Sequence, residues 1–148
     1  MAKKRGDRRA KDRFFSLAQW LEFTHLRPFD SQWCALALSD ESLARLQLQL
    51  IADPTAGAVV EGTGGLRKLR FAPPELATGK RGGLRVWYAD IEEASTIILA
   101  LVYQKVAKED LNAEEKKAVK KVVDRFRELL LSRRSKRRGA ANEREEDP

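Results

Sequence analysis

The chain has a single cysteine, Cys34, and a single histidine, His25, among its 148 residues. One thiol excludes an internal disulfide and a cysteine-based metal cluster, and a reduced, cytoplasmic setting is the simplest expectation. One His and one Cys also leave little from which to build a zinc site or a Cys–His nucleophilic pair, so no metal and no cofactor is expected. Nothing beside His25 in sequence offers it a partner, which favours a structural or surface role. No run approaches the roughly 18 apolar residues of a membrane span, so no membrane partner is expected. The N-terminus, MAKKRGDRRAKDR, has no apolar stretch or small-residue cleavage site behind it and does not read as a secretory signal. Two phosphate-binding motifs are missing as well. A P-loop ending at Gly79–Lys80 needs glycine where Pro74 stands and Ser or Thr where Arg81 stands. The Gly62–Thr63–Gly64–Gly65 run has Arg67 in place of the third glycine of a dinucleotide fingerprint, and it precedes a strand.

What is present is charge, unevenly placed. The net charge is +7. Residues 1–13 carry seven Lys/Arg against two acids, and residues 132–148 carry six against four, so residues 14–131 are neutral overall. The ends read as charged disordered tails, 1–13 and 132–148, around one domain at 14–131. Within that neutral domain, residues 66–86 hold Arg67, Lys68, Arg70, Lys80, Arg81 and Arg85, with Glu75 as the sole acid. Such a concentration attracts phosphates.

Periodicity sets the elements. A strand is expected near Leu21–Thr24, a short helix through SQWCALAL capped by Asp30, and a second helix from about Asp40 to Ala52, ended by Pro54. The Gly-rich GAVVEGTGG leads to a strand at Leu66–Ala72, a long Pro/Gly loop, a strand at Leu84–Ala89, the turn DIEEAS and the run Thr96–Tyr103. That last run is apolar on both faces, as a central strand should be. A final helix is capped by Asn112 with Glu115 three residues on, and Val119, Val122, Val123, Phe126, Leu129 and Leu130 form its apolar stripe. Three strands in sequence favour an antiparallel meander, with the helices covering one face and leaving the other available. The expected class is α+β, with an antiparallel sheet of about four strands, two helices in the N-terminal half and one C-terminal helix.

Strand alternation then places the cations. Lys68 and Arg70 share a face, with Leu69 and Phe71 turned to the core; Arg85 and Trp87 share a face opposite Leu84, Val86 and Tyr88. Pairing of the two strands brings Arg85 beside Lys68 and Arg70, and Tyr103 and Lys105 follow at the end of the apolar strand. A cationic patch with aromatic neighbours can cut RNA. The 2′-hydroxyl attacks the adjacent phosphate, a base takes its proton, cations hold the extra negative charge, and an acid protonates the leaving 5′-oxygen. Neighbouring cations make a lysine a candidate base, arginine suits charge stabilisation, and Trp87 or Tyr103 is able to stack a base. The blander readings are a solvated edge strand for the cations and core packing for the two aromatics.

The ordered segments GTGGLRKLRFA (62–72), GKRGGLRVWY (79–88) and LVYQKVAKEDLNAEEKKAV (101–119) together resemble the HigB branch of the RelE-like toxins, over about residues 21–131. The resemblance implies helices packed on an antiparallel sheet, a type II toxin–antitoxin pair neutralised by a cognate helix-turn-helix antitoxin, and metal-independent cleavage of mRNA in the ribosomal A site. By position it implies that Lys68, Arg70, Arg85 and Lys105 match the family's basic residues, with Arg67 a further phosphate contact. Together with the residue-level reading, the candidate catalytic set is Lys68, Arg70, Arg85, Lys105 and Tyr103, and the candidate RNA contacts are Arg67, Lys80, Arg81 and Trp87. Many RelE-like toxins carry a tyrosine or histidine in or near the final helix. This chain has neither there, and Tyr103 stands as the substitute. The alternatives are a non-catalytic inhibitor of the RelE/ParE superfamily, acting as a gyrase poison or an RNA-binding protein, and a non-toxic interaction protein.

Overall fold

The computed structural model describes residues 21–76, 83–105 and 110–146, with side chains described up to residue 140. The elements run β1 (Glu22–His25), α1 (Arg27–Ala35), α2 (Asp40–Ala52), β2 (Ala58–Val59), β3 (Arg67–Phe71), β4 (Leu84–Ile91), β5 (Thr96–Gln104) and α3 (Ala113–Glu146). They form an α+β molecule around one sheet of order β1-β5-β4-β3-β2.

The sheet has five strands, not about four, and it is mixed. β2, β3, β4 and β5 make the expected antiparallel meander, but β1 lies parallel to β5, with Glu22 opposite Thr96 and His25 opposite Leu99. The reason is the crossover. After β1 the chain passes through α1 and α2 before the meander begins, so the last strand returns beside the first in the same direction. β5 is thereby an inner strand, paired on both sides, as its apolar run requires.

Local chemistry fixes the helix ends. α1 begins at Arg27, before the expected Asp30, because Pro28 in its first turn has the fixed φ a helix start needs and no N–H to leave orphaned. Asp30 falls inside the first turn and meets His25 Nδ1 at 2.9 Å instead of capping. α2 is capped by Ser39, whose hydroxyl accepts the Ser42 N–H at 3.1 Å. At the start of α3, Asn112 Oδ1 accepts the Glu115 N–H at 2.8 Å, and Glu115 Oε1 accepts the Asn112 N–H at 3.2 Å, completing the capping box. α3 continues to Glu146, across residues whose composition predicts a disordered tail. The tail expected at residues 1–13 lies outside the described residues.

Both sheet faces are covered, where one was expected to stay open. On one, Phe29, Trp33, Leu46 and Leu50 from α1 and α2 bury Leu69, Val86, Tyr88 and Leu99. Tyr88 accepts the Gly57 N–H at 2.9 Å and donates to the Pro54 carbonyl at 2.7 Å. A Cβ at Gly57 would stand 2.9 Å from the Tyr88 ring and 3.0 Å from the Lys68 carbonyl, so only glycine passes there. On the other face, α3 lays Val123, with Val119, Phe126 and Leu130 beside it, against Trp87, Ala89, Ile98 and Ala100. Val122 and Leu129 of the predicted stripe remain exposed. α3 spans only part of this face, and one corner that it leaves uncovered, with Arg70 and Arg85, is basic.

Candidate nucleic-acid interface

The uncovered corner is made by the C-terminal end of β3, the start of β4 and the end of β5. Register places Lys68 opposite Trp87 and Arg70 opposite Arg85, and on the far side of β4 it places Arg85 opposite Tyr103. Arg70, Arg85 and Tyr103 therefore form one row across three strands. An irregularity in β5 makes this row possible. Trp87 pairs with Leu101 and Tyr88 with Leu99, so Ala100 is an extra residue. Strict alternation from Leu99 would turn Tyr103 toward α1 and α2. The bulge puts Ala100 and Leu101 on the same face and returns Tyr103 to the basic one.

Arg70 and Arg85 converge on Gly83. A Cβ there would touch Arg70 Nε at 3.4 Å and Arg85 Nη1 at 3.7 Å. Like charges directly opposite on neighbouring strands repel and destabilise the pair. Arg85 Nη1 is in addition buried without a hydrogen-bond partner among the described residues. A buried guanidinium nitrogen in that condition, beside a second arginine, suits an incoming anion.

Lys68 stands at the other end of the patch. Its Nζ lies 5.9 Å from the centre of the Trp87 ring and 4.0 Å from Asp110 Oδ1, and Lys116 approaches the same carboxylate at 3.7 Å. Asp110 is itself fixed by accepting the Leu111 N–H at 2.8 Å. Asp110 and Lys116 were not among the residues singled out from sequence. Asp110 lies in the KEDL run, where its role as a bridge between two lysines depends on the fold bringing β3 to the start of α3. The Gly-rich turn before β3 makes that approach possible. Gly64 has φ +70°, and a Cβ on it would come within 3.0 Å of Lys120 on α3.

The other expected site residues divide clearly. Trp87 is completely buried, so its ring is closed to base stacking. Its indole N–H donates to the Tyr103 hydroxyl oxygen at 3.0 Å and holds that phenol in place. Arg67 faces the opposite side of the sheet, where it donates to the carbonyls of Gly57 at 2.7 Å and Thr55 at 3.3 Å. It ties down the loop after α2 and is not placed to contact phosphate. Lys105 is an exposed turn residue whose backbone N–H reaches the Gly83 carbonyl at 3.4 Å, which sets it at the rim of the arginine pair. Lys80 and Arg81 lie outside the described residues.

Among the described residues, no group of three or more His, Cys, Asp or Glu side chains is arranged to hold a metal ion, and no helix is long and apolar enough to cross a membrane. No family model matches the chain. Among solved structures it is similar to a mutant of the E. coli toxin RelE in the free state, with 17% sequence identity and a TM-score of 0.43 over 60% of this chain and 87% of that one.

Proposed function

We propose that the chain is the toxin of a type II toxin–antitoxin pair and cuts mRNA on the ribosome, using the row Arg70–Arg85–Tyr103 with Lys68 beside it. The observation that carries this reading is the direct opposition of Arg70 and Arg85, with Arg85 Nη1 buried and unpartnered among the described residues. Two guanidinium groups set against each other form a cradle for a phosphate that gains charge during reaction. The ordered sequence motifs that resemble HigB-type toxins support the same reading.

The chemistry follows from what these groups are able to do. The 2′-oxygen of a ribose bonds to the adjacent phosphorus, and the bond from phosphorus to the 5′-oxygen breaks, leaving a cyclic phosphate. Lys68 or Lys105 accepts the proton of the 2′-hydroxyl. Tyr103, held by Trp87, is the candidate donor to the departing 5′-oxygen. Arg70 and Arg85 carry the charge that accumulates on the phosphate oxygens. Asp110 keeps Lys68 in position from the α3 side. The proposed partners are the ribosome with mRNA in its A site and a helix-turn-helix antitoxin, in the cytoplasm.

The test is cell-free translation of a defined mRNA with the purified protein, mapping new 5′ ends by primer extension. New ends at codon-phased positions, present only with ribosomes, are the expected result. Arg85→Ala should reduce cleavage roughly 10²–10³-fold, the cost of losing one preorganised donor to a developing anion. Absence of cleavage by folded protein would overturn the enzyme reading in favour of a non-catalytic inhibitor. Growth arrest with DNA damage would then identify gyrase as the target.

A further inference from the structure

The second half of α3 carries a cationic surface far from the Arg70–Arg85 row. Arg133, Arg134, Arg137 and Arg138 line a cleft of about 460 Å³, whose other wall is Glu22, Thr96 and the turn Glu93–Ser95. Thr96 opens β5 and Tyr103 is near its end, so the two basic regions stand about 23 Å apart along the strand.

The sequence of this stretch is one-sided in charge. From Ser132 to Asn142 the helix has five cations, with Lys136 the fifth, and no acid. Arg133 and Arg137 are four residues apart, as are Arg134 and Arg138, and such like-charged pairs destabilise an isolated helix. Among the described residues none of the four arginines has a carboxylate within ion-pair distance. Glu22 and Glu93 across the cleft repel a phosphate from its floor. Arg133, Lys136, Arg137 and Arg138 are exposed, so the accessible cationic edge is the outer side of the helix. Residues four apart rise about 6 Å along a helix, comparable with the distance between neighbouring phosphates on one strand.

We propose that this segment, residues 133–138 of α3, is a second, sequence-independent contact for the phosphate backbone of structured RNA. The choice of RNA rests on the ribosomal reading above. A membrane surface fits less well. An interfacial helix sets Trp, Phe or Leu against its basic face, whereas the segment SRRSKRRGA has no large apolar residue. The contact anchors the protein on structured RNA while the row at the other end of the sheet faces the strand to be cut.

The experiment measures binding of the full-length protein to a fluorescein-labelled RNA duplex of arbitrary sequence across a series of salt concentrations. The variant carries Arg133→Gln, Arg134→Gln, Arg137→Gln and Arg138→Gln, since glutamine keeps helix propensity, and circular dichroism verifies the fold. The expected result is at least a tenfold loss of affinity at low salt, and a log–log salt slope shallower by roughly 2 to 3. The Lys68→Ala/Arg70→Ala/Arg85→Ala protein should keep most of the wild-type slope. That separates this contact from the proposed cleavage site, whose failure would show as lost cleavage with duplex binding intact. Wild-type affinity and slope in the four-glutamine variant would overturn the proposal. So would unchanged RNA binding in that variant accompanied by lost binding to phosphatidylserine vesicles, which would assign the segment to a lipid surface.

Discussion

The two faces of this sheet follow different rules. Under α1 and α2, Leu69, Val86 and Leu99 meet Phe29, Leu46 and Leu50. Tyr88 has both its hydrogen bonds filled there, and among the described residues Trp33 Nε1 is the buried polar side-chain atom of that side without a partner. Under α3 the same three strands present Trp87 and Ala89 at one end, but Arg70, Arg85 and Tyr103 at the other. One face is given to apolar burial, and the other keeps two arginines opposed, with Arg85 Nη1 lacking a partner among the described residues. A small domain tolerates such an arrangement when the destabilisation at one corner is offset by packing elsewhere.

The largest expected effect tests the sealed side. Phe29 is fully buried, in edge-to-face contact with His25 and stacked with Trp33 at 5.5 Å. Phe29→Ala should cost about 3–5 kcal/mol in urea unfolding, the range for removing a large buried aromatic side chain. A cost below about 1 kcal/mol would show that α1 is not a main support of the sheet and would break the contrast between the faces.

Tyr88→Phe is the next step down. It leaves the Gly57 N–H and the Pro54 carbonyl without their partner in a buried place, for an expected loss of about 1–3 kcal/mol. The tyrosine also gives a pH signature. Burial pushes the Tyr88 hydroxyl above its ordinary value of 10.0. A group whose folded pKa is raised contributes stability that is fully present below its unfolded pKa and is lost as pH rises through the folded one. Wild-type stability should therefore fall as pH climbs beyond about 10, and Tyr88→Phe should lose that part of the slope. An unchanged alkaline limb in the variant would mean that other groups control it.

Much of this contrast was legible in the sequence. The alternation of Leu69 and Phe71 against Lys68 and Arg70, and of Val86 and Tyr88 against Arg85 and Trp87, is enough to put the cations on one face, and the succession of strands, with no helix expected between them, pairs the two that carry them. The parallel place of β1 was not legible. Its partner is more than seventy residues away, and four apolar-flanked residues state no direction. Nor was the coverage of the second face, because Val119, Val123 and Phe126 read equally well against either side of a sheet. The role of Trp87 needed its burial to be known. Arg67 and Asp110 needed partners brought by the fold, the carbonyls after α2 for one and Lys68 and Lys116 for the other. The β5 bulge leaves no mark in a run such as TIILALVY, where every residue but the first suits either face, yet it decides which way Tyr103 points.

The smallest effect sharpens the comparison at its rim. The sealed face also meets a charge, Glu75, but gives it neutral donors. Ser39 Oγ reaches Glu75 Oε1 at 2.7 Å, and Ser42 Oγ reaches the two carboxylate oxygens at 2.8 and 2.6 Å. These bonds, the one from Ser39 foremost, hold the Glu75 carboxyl below its ordinary value of 4.5. A group whose folded pKa is lowered gives stability that is present above the unfolded value and lost as pH falls through the folded one. Ser42→Ala removes one donor and leaves Ser39, so the folded value moves back toward 4.5 and the part of the acid-induced loss due to Glu75 shrinks. Urea unfolding followed from pH 6 down to pH 3 should show a flatter acid limb in the variant. That difference should barely change with salt, because the donors are uncharged hydroxyls, whereas the effects of the Arg85 and α3 arginine substitutions on RNA should depend strongly on it. A Ser42→Ala effect that faded at high salt would mean that Glu75 is held by surrounding cations, and that the two faces treat charge alike.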